Sequence, residues 1–365
     1  MPRCGACAKK PADAEPVLPE QIDEDVPDTG RVIPLPWDSS ALCAFSHDSK
    51  RMTVGYKDEI RVLTVPAGKE VLRVPLPLGN HSRIAAFSPD SKQLILAGPG
   101  YFTMRTNSDP AEARVQFWNL DSGKMTRELD LPRAKEVQMA VCFSPDAKLI
   151  ALRLDTGLVL VELETGKLVT EFVGTKPEGV HYNVSSGRFA GGAFSPDGTR
   201  FAGGTNIGQF AVWDTASGKQ LGAAGSQRIL PEDTFTRTAF SPDGRRIATS
   251  DIHDPTVQIR DARTGKLVCE PIQRIHSDPI AWTPDGTMVV TGCGHTPAPV
   301  AIDADTGKVV RHDLHPPGSP HSWNTQVRGI TPDGRYLVVR SGPTTGVTES
   351  SIRIYRLADL VKPKG

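Results

Sequence analysis

Seven variants of one short block punctuate the 365-residue chain, and their spacing governs what it can become. AFSHDS, with its aromatic anchor at Phe45, returns as AFSPDS at Phe87, CFSPDA at Phe143, AFSPDG at Phe194 and again at Phe240, AWTPDG at Trp282 and GITPDG at Ile330. Consecutive anchors lie 42 to 56 residues apart. A second block built on Gly-Lys follows each of the first six anchors, at Gly68, Gly123, Gly166, Gly218, Gly265 and Gly307. Self-similarity at this period makes each copy one supersecondary unit. Such a unit is too small to bury its own apolar surface and is stable only when stacked on its neighbours.

Two extended segments separate the blocks, as in RRIATSD and TVQIRDA of the fifth copy, and a third, KLVCEPI there, follows the Gly-Lys. They are rich in β-branched residues and alternating or continuously apolar, which is a strand signal. Pro presets φ early in a turn, while Asp and Gly supply side-chain bonding and positive φ, so both blocks predict tight turns. Each copy therefore predicts four short antiparallel strands. Strand a ends at the anchor, b follows the first turn, c precedes the Gly-Lys turn and d follows it. Four strands per copy make one blade, and seven copies predict an all-β, seven-bladed β-propeller.

These residues resemble the WD40 repeat family in its bacterial-type Ser-Pro-Asp-Gly form, whose copies end strand c in a Trp-Asp pair. The pair survives as Trp118-Asn119 and Trp213-Asp214 and has decayed to Leu63-Thr64, Val161-Glu162, Arg260-Asp261 and Ile302-Asp303. The Gly-His dipeptide of that family is reduced to lone histidines such as His81 and His276. The resemblance spans residues 30 to 357 and implies the propeller; it carries no activity, because the fold hosts many. The residue before each anchor is Ala44, Ala86, Cys142, Ala193, Ala239, Ala281 or Gly329. Small in all seven copies, it predicts close sheet-to-sheet approach near the axis.

Forty-two basic residues balance forty-two acidic ones, so no net field draws in a polyanion, and nucleic-acid binding is not expected. No apolar run approaches the roughly 18 residues that span a bilayer, which argues against membrane insertion. Cys43 and Cys142 sit inside apolar strand patterns as small hydrophobes, which fits a reducing, cytoplasmic setting. Residues 1–28, Pro-rich and acidic, read as a disordered lead, 29–360 as the propeller and 361–365 as a tail. Cys4-x-x-Cys7 in the lead lacks a second pair for zinc and a βα context for redox work. It also fits the mature start of a cell-envelope lipoprotein whose signal would lie upstream.

With four-stranded blades, the a–b and c–d turns fall on one face of the disc and the b–c and d–a connections on the other. The first set is uniformly tight, while the second is long and irregular: AGPGYFTMRTNSDPAEA inside copy 2, VGTKPEGVHYNVSSGRFAG before copy 4, HDLHPPGSPHSWNT before copy 7. Long loops on a rigid scaffold are where binding resides. Tyr101, Phe102, Met104, Arg105, His181, Tyr182, His295 and Trp323 are the candidate partner contacts; the competing reading is that they form mini-cores holding their own loops. Histidines crowd the same connections, but no pair has tight ligand spacing, so neither a metal nor another cofactor is expected.

Strand a, which lines the channel, supplies one carboxylate, Asp278, where acid–base or metal-assisted hydrolysis needs several to converge. Arg83, Arg237 and Arg328 occur there at different offsets, leaving an anion site at the mouth open. Lys69, Lys124, Lys167, Lys219, Lys266, Lys308 and Arg31 open the outer strands and read as guards against edge pairing. The expectation is a non-catalytic, monomeric scaffold binding a protein or peptide on the long-loop face. The alternative is a propeller hydrolase or lactonase with a loop-borne or metal site at the channel mouth.

DTGRVIPLPW, residues 28 to 37, ends a repeat that has no beginning upstream, while the seventh copy lacks a strand d. Thr29, Gly30 and Arg31 match the Thr-Gly-Lys positions, so the N-terminal strand is expected to complete the seventh blade and close the ring. Closure removes the open edge at the seam, which would otherwise template association. Deleting residues 1–27 is accordingly expected to leave the melting temperature within a few degrees of the full chain, and deleting 1–37 to lower it sharply or cause aggregation. Equal melting temperatures for the two truncations would contradict the closure.

Overall fold

The computed structural model describes residues 15–16, 30–35, 44–56, 59–75, 84–98, 114–132, 137–154, 157–172, 192–204, 209–225, 236–251, 256–273, 280–292, 299–314, 325–342 and 350–361. They form seven four-stranded antiparallel sheets. Blade 2 is representative: Ile84–Phe87, Gln93–Gly98, Arg114–Asn119 and Met125–Asp130 pair in chain order from the axis outward. Blades 3, 4 and 6 repeat that meander.

The seventh sheet joins the chain ends. Arg31–Leu35 is its outermost strand and pairs antiparallel with Ser350–Arg356, from Arg31 opposite Ile354 to Leu35 opposite Ser350. Gly30 takes φ +86°, the left-handed geometry that Gly68, Gly123, Gly166, Gly218, Gly265 and Gly307 adopt at φ between +66° and +72° in the covalent c–d turns. The seam thus reproduces the local backbone of an ordinary c–d turn with the chain cut through it. A Cβ at Gly30 would stand 2.4 Å from the Tyr355 ring, so only glycine fits. Pro34 is tolerated because the outer strand needs no donor on its free edge.

Three details depart from four regular strands per copy. Blade 1 keeps its inner strand as a single bridge, Phe45 to Met52, and its sheet gains Glu15–Pro16 outside Glu70–Pro75; the rest of the 1–28 lead lies outside the described residues. In blade 5 the expected strand d, KLVCEPI, is broken: Leu267 bridges Arg260 and Val268 N–H still donates to the Ile259 carbonyl at 2.8 Å, but regular pairing resumes only at Ile272–Gln273. Pro271 has no N–H for the ladder, which accounts for the break. The segment after strand c of blade 7 forms a short helix, Leu357–Val361, whose Leu357 and Leu360 pack into the core between blades 6 and 7.

Strands b and c are continuously apolar because both of their faces are buried. Leu94 and Leu96 pack on Ile60 and Val62 of blade 1, while the intervening Ile95 and Ala97 pack with Ile150 and Leu152 of blade 3. Seven buried clusters occupy the seven interfaces between neighbouring blades. The one at the seam joins Leu35, Val338, Ile352 and Ile354 to Met52, Val54, Leu63 and Val65. Outer strands alternate instead, since one face meets water: Leu168 to Phe172 run half-buried, exposed, buried, exposed, buried. The small residue before each anchor accepts the next blade's aromatic. A Cβ at Gly329 would lie 2.8 Å from the Phe45 ring, and Trp282 Nε1 donates to the Ala239 carbonyl at 3.0 Å.

The a–b turns repeat one bonding pattern seven times. The Ser or Thr hydroxyl donates to the Asp carboxylate two residues on at 2.5–2.6 Å. Its oxygen accepts the N–H of the first residue of strand b at 2.8–3.1 Å. The fourth turn residue has positive φ in every copy, including Ser49, Ser91 and Ala147. Ser49 and Ser91 are explained by their hydroxyls, which accept the N–H of Asp333 and Asp48 in the preceding blade; nothing in the structure explains Ala147.

The Ser88, Ser195 and Ser241 hydroxyls hold Asp90, Asp197 and Asp243 below the ordinary value of 3.8. In the c–d turns the hydroxyls of Ser217, Thr264 and Thr306 do the same for Asp214, Asp261 and Asp303. A carboxyl whose folded pKa is depressed contributes stability that is complete above its unfolded pKa and is lost as pH falls through the folded one. The melting temperature is therefore expected to hold down to about pH 5 and to drop steeply below about pH 4. An Asp197→Asn/Asp243→Asn variant should be less stable at neutral pH and show a shallower acid limb. A wild-type acid limb no steeper than the variant's would contradict this account.

Candidate functional site

The two faces of the disc differ in how their polar groups are used. On the face of the a–b turns, side chains tie each blade to the next. Arg51 Nη1 donates to the Ser91 carbonyl at 3.1 Å, Arg200 Nη2 to Gly244 at 2.8 Å and Arg246 Nη2 to Gly286 at 2.7 Å. Arg246 also pairs with Asp305 at 2.5 Å and lies 5.3 Å from the Trp282 ring centroid. His47, which stands where the other six copies have Pro, reaches past blade 2 to the Pro145 carbonyl of blade 3 at 3.2 Å.

The c–d turns are tied in the same way. Thr170 Oγ1 donates to the Thr215 carbonyl at 2.9 Å, and Arg127 Nη2 to the carbonyls of Leu163 and Glu164. The six lysines that follow the turn glycines are exposed at the starts of outer strands. The exposed large apolar residues among those described, Val32, Val169, Leu221, Leu267, Val268 and Val310, also fall on this outer rim. Apart from the blade 5 pair they occur singly on separate blades and do not merge into a patch.

The opposite face carries the long connections. Tyr101, Phe102, Met104, Arg105, His181, Tyr182, His295 and Trp323 all lie outside the described residues, so the face is placed here by the strand ends beneath it. In blade 1 the end of strand b bears Tyr56, with the Arg61 guanidinium 3.9 Å from its ring centroid. Arg61 stands directly across the ladder from Arg73. The like charges are compensated by Glu59 and Glu70, each of which contacts both arginines at 2.5–3.7 Å. Burial pushes the Tyr56 hydroxyl up, against the lowering influence of Arg61. In blade 2, Glu128 similarly joins Arg114 and Gln116.

At the same end of blade 7, Gln326 opposes Arg340 across the ladder, and Arg328 Nη2 donates to Gln326 Oε1. Arg328 stands out in the sequence as a charged residue on a channel strand, whereas Gln326 and Arg340 belong to no motif. A signal for Arg340 existed: the matching position of strand b is Gly55, Ala97, Gly204, Ser250 or Gly292 in five other blades. Only Arg153 shares its character.

Among the described residues, no strand a carries a carboxylate, and no group of three or more His, Cys, Asp or Glu is placed to hold a metal ion. Asp278, His276 and His295 lie outside them. Cys142 is half-buried, packed against the core cluster that holds Phe194, and desolvation pushes its thiol up to about 12, so it packs as a small hydrophobe. Arg260 occupies the Trp position of strand c, largely buried, with Nη1 on the Gly265 carbonyl at 2.8 Å and Nη2 on Gln258 at 2.5 Å.

No protein-family model matches the chain, and no curated protein does. Solved structures do match in fold. A chain in the crystal structure of a mitotic checkpoint complex superposes with a TM-score of 0.66 at 14% identity, covering 94% of this chain and 96% of that one. The β-propeller domain of Myceliophteria thermophila Cps50 (Swd1) superposes with a TM-score of 0.65 at 16% identity, covering 89% of this chain and 99% of that one. No helix among the described residues is long and apolar enough to cross a membrane. Repeat, ladder order and superposition agree that the chain is a seven-bladed β-propeller with four-stranded antiparallel blades.

Proposed function

We propose that the chain is a non-catalytic interaction scaffold that holds a protein or peptide on the face of its b–c and d–a connections. The observation that carries this reading is the asymmetry between the faces. Turn hydroxyls, carboxylates and arginines on the a–b side are bonded within their own turn or to the next blade, which commits that side to holding the ring. Sequence length and aromatic character are invested in the connections opposite, where rigid strand ends can present them. The WD40 resemblance and a fold neighbour that is part of a checkpoint assembly support a role in protein complexes. One chain is the working unit in this reading, since pairing at the seam leaves no unfilled blade position for a second copy.

Affinity capture tests the proposal with three baits: the native chain, a variant whose 99–112 connection is replaced by a short Gly-Ser turn, and a Lys50→Glu/Lys92→Glu variant of the tight-turn face. The native chain and the tight-turn variant are expected to retain the same partner, and the loop variant to lose it. Retention by the loop variant together with loss by the tight-turn variant would overturn the assignment of faces.

A further inference from the structure

Strand a of blade 7 carries a β-bulge. Val327 pairs with Val339 and Gly329 with Val338, so Arg328 is an extra residue in the ladder. Bulges re-aim a side chain, and here Arg328 turns onto Gln326 of its own strand. Arg340 stands opposite Gln326 on strand b, with opposed Cβ atoms about 4.5–5.5 Å apart. Gln326 and Arg340 lie at the long-connection ends of their strands, with Arg328 two residues further along strand a. Arg340 has the strand parity of Val338, which packs against Met52 and Val54 of blade 1, so the group sits at the rim between blades 7 and 1.

The fold does not require an arginine there, since five other blades put Gly, Ala or Ser at the position. Arg340 is half-buried, and its Nε has no hydrogen-bond partner among the described residues. Burial draws its pKa down, with no charged neighbour among the described residues contributing. The glutamates on blade 1, Glu59 and Glu70, are taken by Arg61 and Arg73. Gln326 Oε1 already accepts from Arg328, which leaves its amide NH2 to donate outward.

We infer that Gln326, Arg328 and Arg340 form an oxyanion subsite that takes one carboxylate of an acidic peptide segment. The inference rests on the scaffold reading and specifies what part of a partner enters the channel mouth. A planar guanidinium matches a carboxylate with two parallel N–H···O bonds. No acidic group among the described residues contributes to the electrostatics of Arg340, and a peptide carboxylate supplies that complement.

The experiment follows arginine Nε–Hε resonances of the full chain during titration with acetylated, amidated tri-glutamate, with the matching tri-glutamine, and with inorganic phosphate. The Arg340 signal is assigned from its loss in Arg340→Gln. Tri-glutamate is expected to shift that signal to saturation at least tenfold more tightly than phosphate, and tri-glutamine to leave it unmoved. Tri-glutamate binding should disappear in Arg340→Gln and weaken several-fold in Gln326→Ala. Absence of a saturating shift, phosphate binding as tight as tri-glutamate, or binding that survives Arg340→Gln would each overturn the subsite. Melting curves establish that both variants fold; if Arg340→Gln does not, the native titrations and Gln326→Ala decide. No tri-glutamate binding alongside intact capture through the 99–112 connection sinks the subsite alone, and the converse result sinks the scaffold reading alone.

Discussion

The ladder between Arg31–Leu35 and Ser350–Arg356 holds the two ends of the chain in one sheet, and the ring depends on it. Every other interface joins segments adjacent in sequence, so each forms with a short loop to close. The seam alone closes a loop of roughly 320 residues, at an entropic cost on the order of 5 kcal/mol. That cost is offset by what the N-terminal strand buries. Leu35 enters the core between blades 7 and 1, and Ile33 packs over the Gly68 turn. Fully burying a side chain of that size contributes about 1.5–3 kcal/mol. Without the strand, the outward edge of Ser350–Arg356 would also stand open.

Closure imposes a geometry that the turns then hold. Inner strands converge so closely that Gly329 has no room for a Cβ beside Phe45. On the tight-turn face the seam is stitched by the same kind of bond as an ordinary interface: Asp333 N–H donates to Ser49 Oγ as Asp48 N–H donates to Ser91 Oγ. The chain break is therefore mechanically hidden, and the ring presents one face given to structure and one free to vary. Function in this account follows from that division, with the subsite of blade 7 lying beside the seam at the rim of the free face.

Much of this was legible because it repeats. The anchors, turn residues, small positions and N-terminal strand each recur or complete a recurrence, and repetition separates signal from a single coincidence of composition. What escaped the sequence was local. Pro271 sits in a gap in the outer strand of blade 5, before pairing resumes at Ile272–Gln273, a break that the apolar run around it conceals. The bulge at Arg328 shifts register without leaving a mark in hydrophobic periodicity. Arg340 belongs to no motif, and its meaning emerges only beside the small residues of the other blades. The candidate contacts of the long connections have no repeat to be compared with, which is why pattern alone marks them as variable and says nothing of their arrangement.

Hydrogen exchange across the seam tests the central claim most directly. If the N-terminal strand is the outer strand of blade 7, amides in a peptide covering residues 30–36 exchange with protection comparable to the outer strands Leu168–Phe172 and Gln220–Gly225. Protection in 350–356 and in 30–36 is then lost together as denaturant is raised. Exchange of 30–36 within seconds, while 350–356 remains protected, would contradict the closed ring.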